Sequence, residues 1–255
     1  MLAGGVTTAP IPTLFNTGVS SNYPDGSPAT LTADGANDQH YSIIAGVDGA
    51  ISPFVTESGA YPFPSWSQDT TTSKWISPQA TYAGNLQDAV GTYTYKTTFD
   101  LTGFNTNAVS ISGQLVADNY VSAVRINGFD IGFSTQGQVG FAFKAFTLPA
   151  GHFVSGVNEL EFDVINTVPD GGNPSGLRVE LTGTVSLPQL TIIQSGTNIV
   201  FSWPTNYASG FALQTTANLS SGNWVTVTNP FTTIGTNDVV TNSISGNSGF
   251  FRLVQ

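Results

Sequence analysis

Between Tyr93 and Asn166 the sequence alternates apolar and polar residues with a period near two, in three runs broken by Gly, Asn and Pro. Such alternation sends successive side chains to opposite faces of an extended chain and marks half-buried strands. The runs are YTYKTTFDLTGF, GQLVADNYVSAVRINGFDIG and FKAFTLPAGHFVSGVNELEFDVIN. In the first, Tyr93, Tyr95, Thr97 and Phe99 share a strand face. In the second, Val121, Ala123, Arg125 and Asn127 are expected on one face, with Val124 and Ile126 on the other. In the last, Leu160, Phe162, Val164 and Asn166 line one face, while Glu159, Glu161 and Asp163 read as the solvated one. Asn127-Gly128 is a strong hairpin signal. After a polar loop at 166–176 comes a closing strand, with Leu177, Val179 and Leu181 inward and Arg178, Glu180 and Thr182 outward. No stretch of useful length has helical periodicity, so the expected fold is all-β.

The pattern restarts after a short linker, Ser186-Leu187-Pro188-Gln189. Six short strand candidates follow, at 190–194, 199–203, 211–215, 224–227, 238–241 and 250–254, separated by Gly, Asn or Pro turns. That spacing predicts a small antiparallel sandwich, with Trp203 and Trp224 filling its core. The expected organisation is an extended segment at 1–30, a larger β domain at 31–186 and a small sandwich at 190–255.

Charged residues make up only 9% of the chain, and 16 acidic against 6 basic residues give a net charge of −10. Nucleic-acid backbones and anionic membranes demand clustered Lys and Arg, and the six here are scattered, so neither partner is expected. There is no cysteine, which excludes disulfides and thiolate chemistry. No apolar run reaches the length of a membrane span. Met1-Leu2-Ala3-Gly4-Gly5 has neither a charged nor a long apolar leader region. Composition favours a secreted or cell-surface protein whose signal peptide has been removed.

Three stretches carry candidate ligand chemistry. The loop 33–43 holds Asp34, Asn37 and Asp38, oxygen donors of the kind Ca²⁺ takes, though their spacing differs from an EF-hand and equally suits a turn before a strand. Tyr61, Phe63 and Trp66 lie in a loop-rich region, where rings either stack on sugar faces or plug a sandwich end. Trp75, beside Ile76, reads as core. Asp118 and Asn119 suit either a sugar hydroxyl or a strand-end turn. Catalysis is not expected. Glu159, Glu161 and Asp163 alternate on a solvated face, and neither a Gly-x-Ser-x-Gly elbow nor an HExxH motif occurs.

Residues about 13–185 resemble a galactose-binding-like jelly-roll domain of exported bacterial proteins, many of which carry a PEP-CTERM sorting tail. The resemblance rests on Leu14-Phe15-Asn16-Thr17-Gly18-Val19, Asp38-Gln39-His40-Tyr41, Ser73-Lys74-Trp75-Ile76-Ser77-Pro78-Gln79, Tyr93 to Phe104, Ala117-Asp118-Asn119, Ile126-Asn127-Gly128 and Asn173 to Glu180. The middle portion also looks like the sugar-binding β domain attached to many glycoside hydrolases. Residues 190–255 resemble a small fibronectin-III-like module of exported proteins of Verrucomicrobia-type bacteria, through Phe201-Ser202-Trp203-Pro204, Phe211-Ala212-Leu213-Gln214, Asn223-Trp224 and Phe250-Phe251-Arg252-Leu253. The sorting tail itself is absent from the sequence. These resemblances imply a jelly-roll β-sandwich followed by a small immunoglobulin- or fibronectin-III-like β-sandwich. They also imply a structural Ca²⁺, with Asp34, Asp38 and Glu180 as its candidate ligands.

Two functions fit. In the first, the chain binds extracellular polysaccharide without cleaving it, through Tyr61, Phe63, Trp66, Asp118 and Asn119. In the second, it is a structural subunit of a cell-surface or extracellular filament or matrix, whose partners are copies of itself joined by exchange of the N-terminal strand.

Overall fold

A computed structural model describes residues 7–21, 29–47, 49–84, 86–137, 141–167, 173–207, 211–244 and 249–254. The first third carries short strands: β1 (Thr8–Pro10), β2 (Val19–Ser21), β3 (Thr30–Leu31), β4 (Tyr41–Ala45), β5 (Phe54–Val55) and β6 (Ile76–Ser77). The alternating runs then form β7 (Gly91–Asp100), β8 (Val109–Asp118), β9 (Tyr120–Ile126), β10 (Phe129–Asp130), β11 (Lys144–Thr147), β12 (Val157–Asn166) and β13 (Gly176–Ser186). Beyond them come β14 (Thr191–Ser195), β15 (Asn198–Pro204), β16 (Ala212–Thr216), β17 (Val225–Thr226), β18 (Thr232–Ile234), β19 (Asn237–Ser243) and β20 (Phe250–Val254). Helical structure among the described residues is limited to 3-10 turns at Thr106–Ala108 and Leu219–Ser221.

Two sheets face each other in the larger part of the chain. One has the order β11-β8-β13-β6-β5, with β1 on β13, and the other has the order β10-β9-β12-β7-β4. From β7 to β13 every connection crosses between the sheets except the β9–β10 hairpin, which turns on Asn127-Gly128. This is the winding of a jelly roll. Asn127 takes φ 48° there, as a tight two-residue turn requires. The predicted inward faces meet between the sheets. Tyr93, Tyr95, Phe99, Leu160, Phe162 and Val164 are fully buried against Ile111, Leu115, Leu177 and Val179. Each such side chain contributes roughly 1.5–3 kcal/mol by leaving water.

One predicted face is broken. The β9–β12 register shifts so that Val164 faces Val121 while Asp163 faces Ala123, and Ser122 is the extra residue of a bulge. Val121 therefore turns into the core with Val124 and Ile126, while Ala123 and Arg125 lie on the other face. There Arg125 meets Glu161 at 3.1 Å and Asp163 at 2.6 Å, and Lys96 meets Glu159 at 3.0 Å. The expected solvated face is thus an ion-pair ladder across three strands.

The described part of the N-terminal segment is docked rather than free. Thr8, Ala9 and Pro10 pair with Ser186, Val185 and Thr184 of the same chain, and Ile11 and Leu14 enter the main core. Beyond Leu190 two further sheets, β14-β15-β19-β18 and β17-β16-β20, enclose a core of Phe201, Trp203, Leu213 and Val240. Trp203 fills this core as expected. Trp224 does not: it is half-buried, with the Arg252 guanidinium 4.2 Å from its ring centre. Among the described residues no sheet contains strands from both sides of the linker.

Candidate functional site

The outward face of the β11-β8-β13 sheet divides into a capped half and an open half. The cap is aromatic. Trp66 and Trp75 stack at 4.2 Å and, with Tyr82, cover Val116 of β8, while Phe63, Phe141 and Phe143 pack against them. Trp66 fits because residue 176 is glycine: a Cβ there would stand 2.4 Å from the indole. The indole N–H of Trp66 donates to Asp118 Oδ2 at 2.7 Å. Asp118 is buried, and desolvation pushes its carboxyl up to about 6 against the indole hydrogen bond, with Asp88 adding to the rise. Asp88 in turn accepts from the Tyr82 hydroxyl and from the Ser175 N–H.

The open half is a concavity of about 540 Å³ lined by Ser112, Gly113, Gln114, Ala145, Phe146, Thr147, Glu180 and Thr182. Strand register builds its floor. Gln114 lies opposite both Ala145 and Glu180, and Ser112 lies opposite both Thr147 and Thr182, so two rungs of three outward side chains cross it. Gly113 is required beneath, since a Cβ there would come within 2.8 Å of both Phe146 and the Glu180 carbonyl.

Glu180 anchors this floor. Its Oε2 accepts from Gln114 Nε2 at 2.7 Å, and its Oε1 accepts from Ser73 Oγ at 2.7 Å and Thr72 Oγ1 at 2.8 Å. Burial alone would raise its pKa, but those donors and the Arg178 charge hold it below the usual glutamate range. Arg178 is itself buried, donating to Ser73 Oγ, the Gln68 carbonyl and Thr70 Oγ1. The half-buried Phe143 ring lies 5.1 Å from the Arg178 guanidinium, two residues before Ala145. The open half is therefore a wet floor of hydroxyls, one amide and one fixed acceptor, beside an aromatic cap.

None of the five predicted ligand residues lines this groove. Tyr61 is 48% exposed, whereas Trp66 is 1% exposed and cannot stack on a sugar. Phe63 is half-buried, edge-on to Trp66 at 6.1 Å. Asp118 is buried beneath Trp66, and the exposed Asn119 accepts from the Thr167 N–H at 2.7 Å. The groove residues had a signal in the sequence, a row of small or polar outward positions on two strands (Ser112, Gln114, Glu180, Thr182). What alternation does not carry is which outward face stays concave and uncovered.

The candidate Ca²⁺ ligands are all engaged by donors of the protein itself. Asp34 is held by the Lys74 ammonium at 2.5 Å and by Ser58 Oγ and N–H. Asp38 is spent on the N–H groups of Gly18, His40 and Tyr41. Glu180 takes the donors described above. Among the described residues no group of three or more His, Cys, Asp or Glu side chains is arranged to hold a metal.

No protein-family model matches the chain, and no curated protein matches it. Solved structures similar to it include a β-glucuronidase from glycoside hydrolase family 2, at 14% identity and TM-score 0.32 over 99% of this chain and 27% of that one. Another is a Bacteroides uniformis β-glucuronidase, at 15% identity and TM-score 0.24 over 66% of this chain and 22% of that one. The chain spans about a quarter of the length of each of these two.

Proposed function

We propose that the chain is a non-catalytic, exported carbohydrate-binding protein that holds a neutral glycan along the β11-β8-β13 groove. The observation that carries this reading is the Gln114–Glu180 pair, flanked by the Ser112, Thr147 and Thr182 hydroxyls in an open concavity. Sugar hydroxyls both donate and accept, and such a floor offers them both kinds of partner without a net positive charge. In this reading Phe143, two residues before the lining Ala145, offers a ring for stacking on a sugar face. Glu180 is the one carboxylate among the lining residues, whereas glycoside cleavage takes two across a cleft. Its lowered pKa makes it an acceptor rather than a proton donor. The low charge and the Thr-, Ser-, Asn- and Gly-rich composition support export. The alternative, assembly by N-terminal strand exchange, would make the same β1–β13 pairing between two chains.

The test is affinity electrophoresis against a panel of soluble neutral and acidic polysaccharides, followed by calorimetry on any that retards the protein. Retardation by a neutral polysaccharide is expected, weakened roughly tenfold in Gln114→Ala, the worth of about one hydrogen bond to a sugar hydroxyl. Ala145→Trp, which fills the groove, should abolish it. Retardation by none of the panel, or full binding by Ala145→Trp, would sink this reading.

A further inference from the structure

Residues 187–255 contain one acidic side chain, Asp238, and one basic side chain, Arg252, so the whole net charge of −10 lies in residues 1–186. The uncharged part also exposes much apolar surface, including Ile192 at 51%, Ile193 at 57%, Phe231 at 59% and Ile234 at 62%. Proteins blunt a sheet edge with charges, proline, bulges or a covering segment. Strand β14 shows none of these. It is Thr-Ile-Ile-Gln-Ser, its only neighbour among the described residues is β15, and all five of its residues are exposed.

We propose that β14 is where two copies of this chain pair across a two-fold axis, so that the four-stranded sheet continues into its mate. Three observations select a second copy as the occupant. The edge presents backbone N–H and C=O groups at strand spacing, which another strand satisfies fully. The sequence of β14 is complementary to itself when run antiparallel: Ile193 falls opposite Ile193, Ile192 opposite Gln194 and Thr191 opposite Ser195. Because Ile193 pairs with Val200 on its own sheet, the contact forms one apolar stripe, Val200–Ile193–Ile193–Val200, on one face. Finally, bodies that each carry the full net charge repel one another, and the neutral end is where two can meet without that cost. The opposite edge, β18, is three residues long and preceded by Pro230, which makes it the poorer template. A five-residue edge buries less than the roughly 1,200 Å² of a stable interface, so the dimer is weak and depends on concentration.

The chain has no cysteine, which makes a single introduced thiol a clean reporter. Sedimentation equilibrium of the full chain should show monomer giving way to dimer as concentration rises. Ile193→Lys sets two lysines face to face and should weaken association at least roughly tenfold. Ile193→Cys, under mild oxidation, should give a covalent dimer far faster than Val225→Cys, a thiol at another site that is 65% exposed. A chain that stays monomeric at its highest soluble concentration overturns the proposal, as does Ile193→Cys that cross-links no faster than Val225→Cys. A ladder of higher oligomers formed only by the Ile193→Cys/Ile234→Cys double variant would replace the two-fold pair with head-to-tail addition and overturn it too. Polysaccharide binding plays no part in these readouts, so the groove and the edge stand or fall separately.

Discussion

Asp118 is 7% exposed, with the Trp66 indole as its donor and Asp88 close enough to oppose its ionisation. Its folded-state pKa of about 6 lies above its ordinary 3.8, so between those values the folded state binds the proton more tightly than the unfolded chain. The stabilisation from the protonated form is complete below pH 3.8 and is lost as the pH rises through 6, about 3 kcal/mol in all. Asp118→Asn keeps an acceptor for the indole and cannot ionise. Urea unfolding should find the variant close to the parent near pH 4 and more stable than it by up to about 3 kcal/mol above pH 7. An equal difference at both pH values would show that the carboxyl does not titrate in this way. Gly176→Ala tests the other side of the same indole. The added methyl meets Trp66 at 2.4 Å, and overpacking of this kind costs about 1–3 kcal/mol. The burial of Trp75 follows from its apolar neighbour in sequence. That of Trp66 does not, because the glycine that makes room for it lies on β13, far along the chain.

At the scale of elements, alternation placed β7, β12 and β13 with their correct inward faces because period two survives unbroken along each. It failed on β9 at Ser122, where one extra residue exchanges the faces, and nothing in Val-Ser-Ala-Val announces a bulge. Strand β18 has no signal in the sequence, because three residues between turns carry no period. The segment 72–75 shows what holds the loop-rich first third in place. The Lys74 N–H donates to the Thr17 carbonyl, its ammonium holds Asp34, and Ser73 Oγ holds Glu180. Lys74 packs so closely that a Cβ on residue 18 would stand 2.5 Å from its own, and Gly18 also takes φ 70°. With a side-chain ammonium seated on Asp34, thermal unfolding should show the same midpoint in Ca²⁺ and in a chelator. A clear rise in midpoint with Ca²⁺ would count against this. Lys74→Met keeps the packing stem, removes the charge and leaves Asp34 with Ser58 alone. Since both side chains are partly exposed, the loss should be modest, about 1 kcal/mol, and should shrink in high salt.

At the scale of the molecule, the two cores enclosed between sheets among the described residues are built from different sheets, the larger from residues 9–187 and the smaller from residues 190–253, with the Trp66 cluster as a cap outside the larger. They differ in kind as well as in size. The larger joins two sheets through many fully buried aromatic and branched side chains. The smaller has four buried members, in a part of the chain with many exposed apolar residues. Burial scales with domain size, so the smaller unit is expected to be the less stable and to unfold first. Calorimetry should resolve two transitions rather than one, since cooperativity extends only as far as shared packing. Phe162→Ala, in the larger core, should lower the upper transition, and Trp203→Ala should lower or abolish the lower one, each by the roughly 3–5 kcal/mol of a buried aromatic truncation. The sharper expectation is independence: each substitution leaves the other transition where it was. If Trp203→Ala moves both transitions together, the two cores share an interface and fold as one unit. With the cores independent, association through β14 stabilises the lower transition alone, making its midpoint rise with protein concentration while the upper one stays fixed.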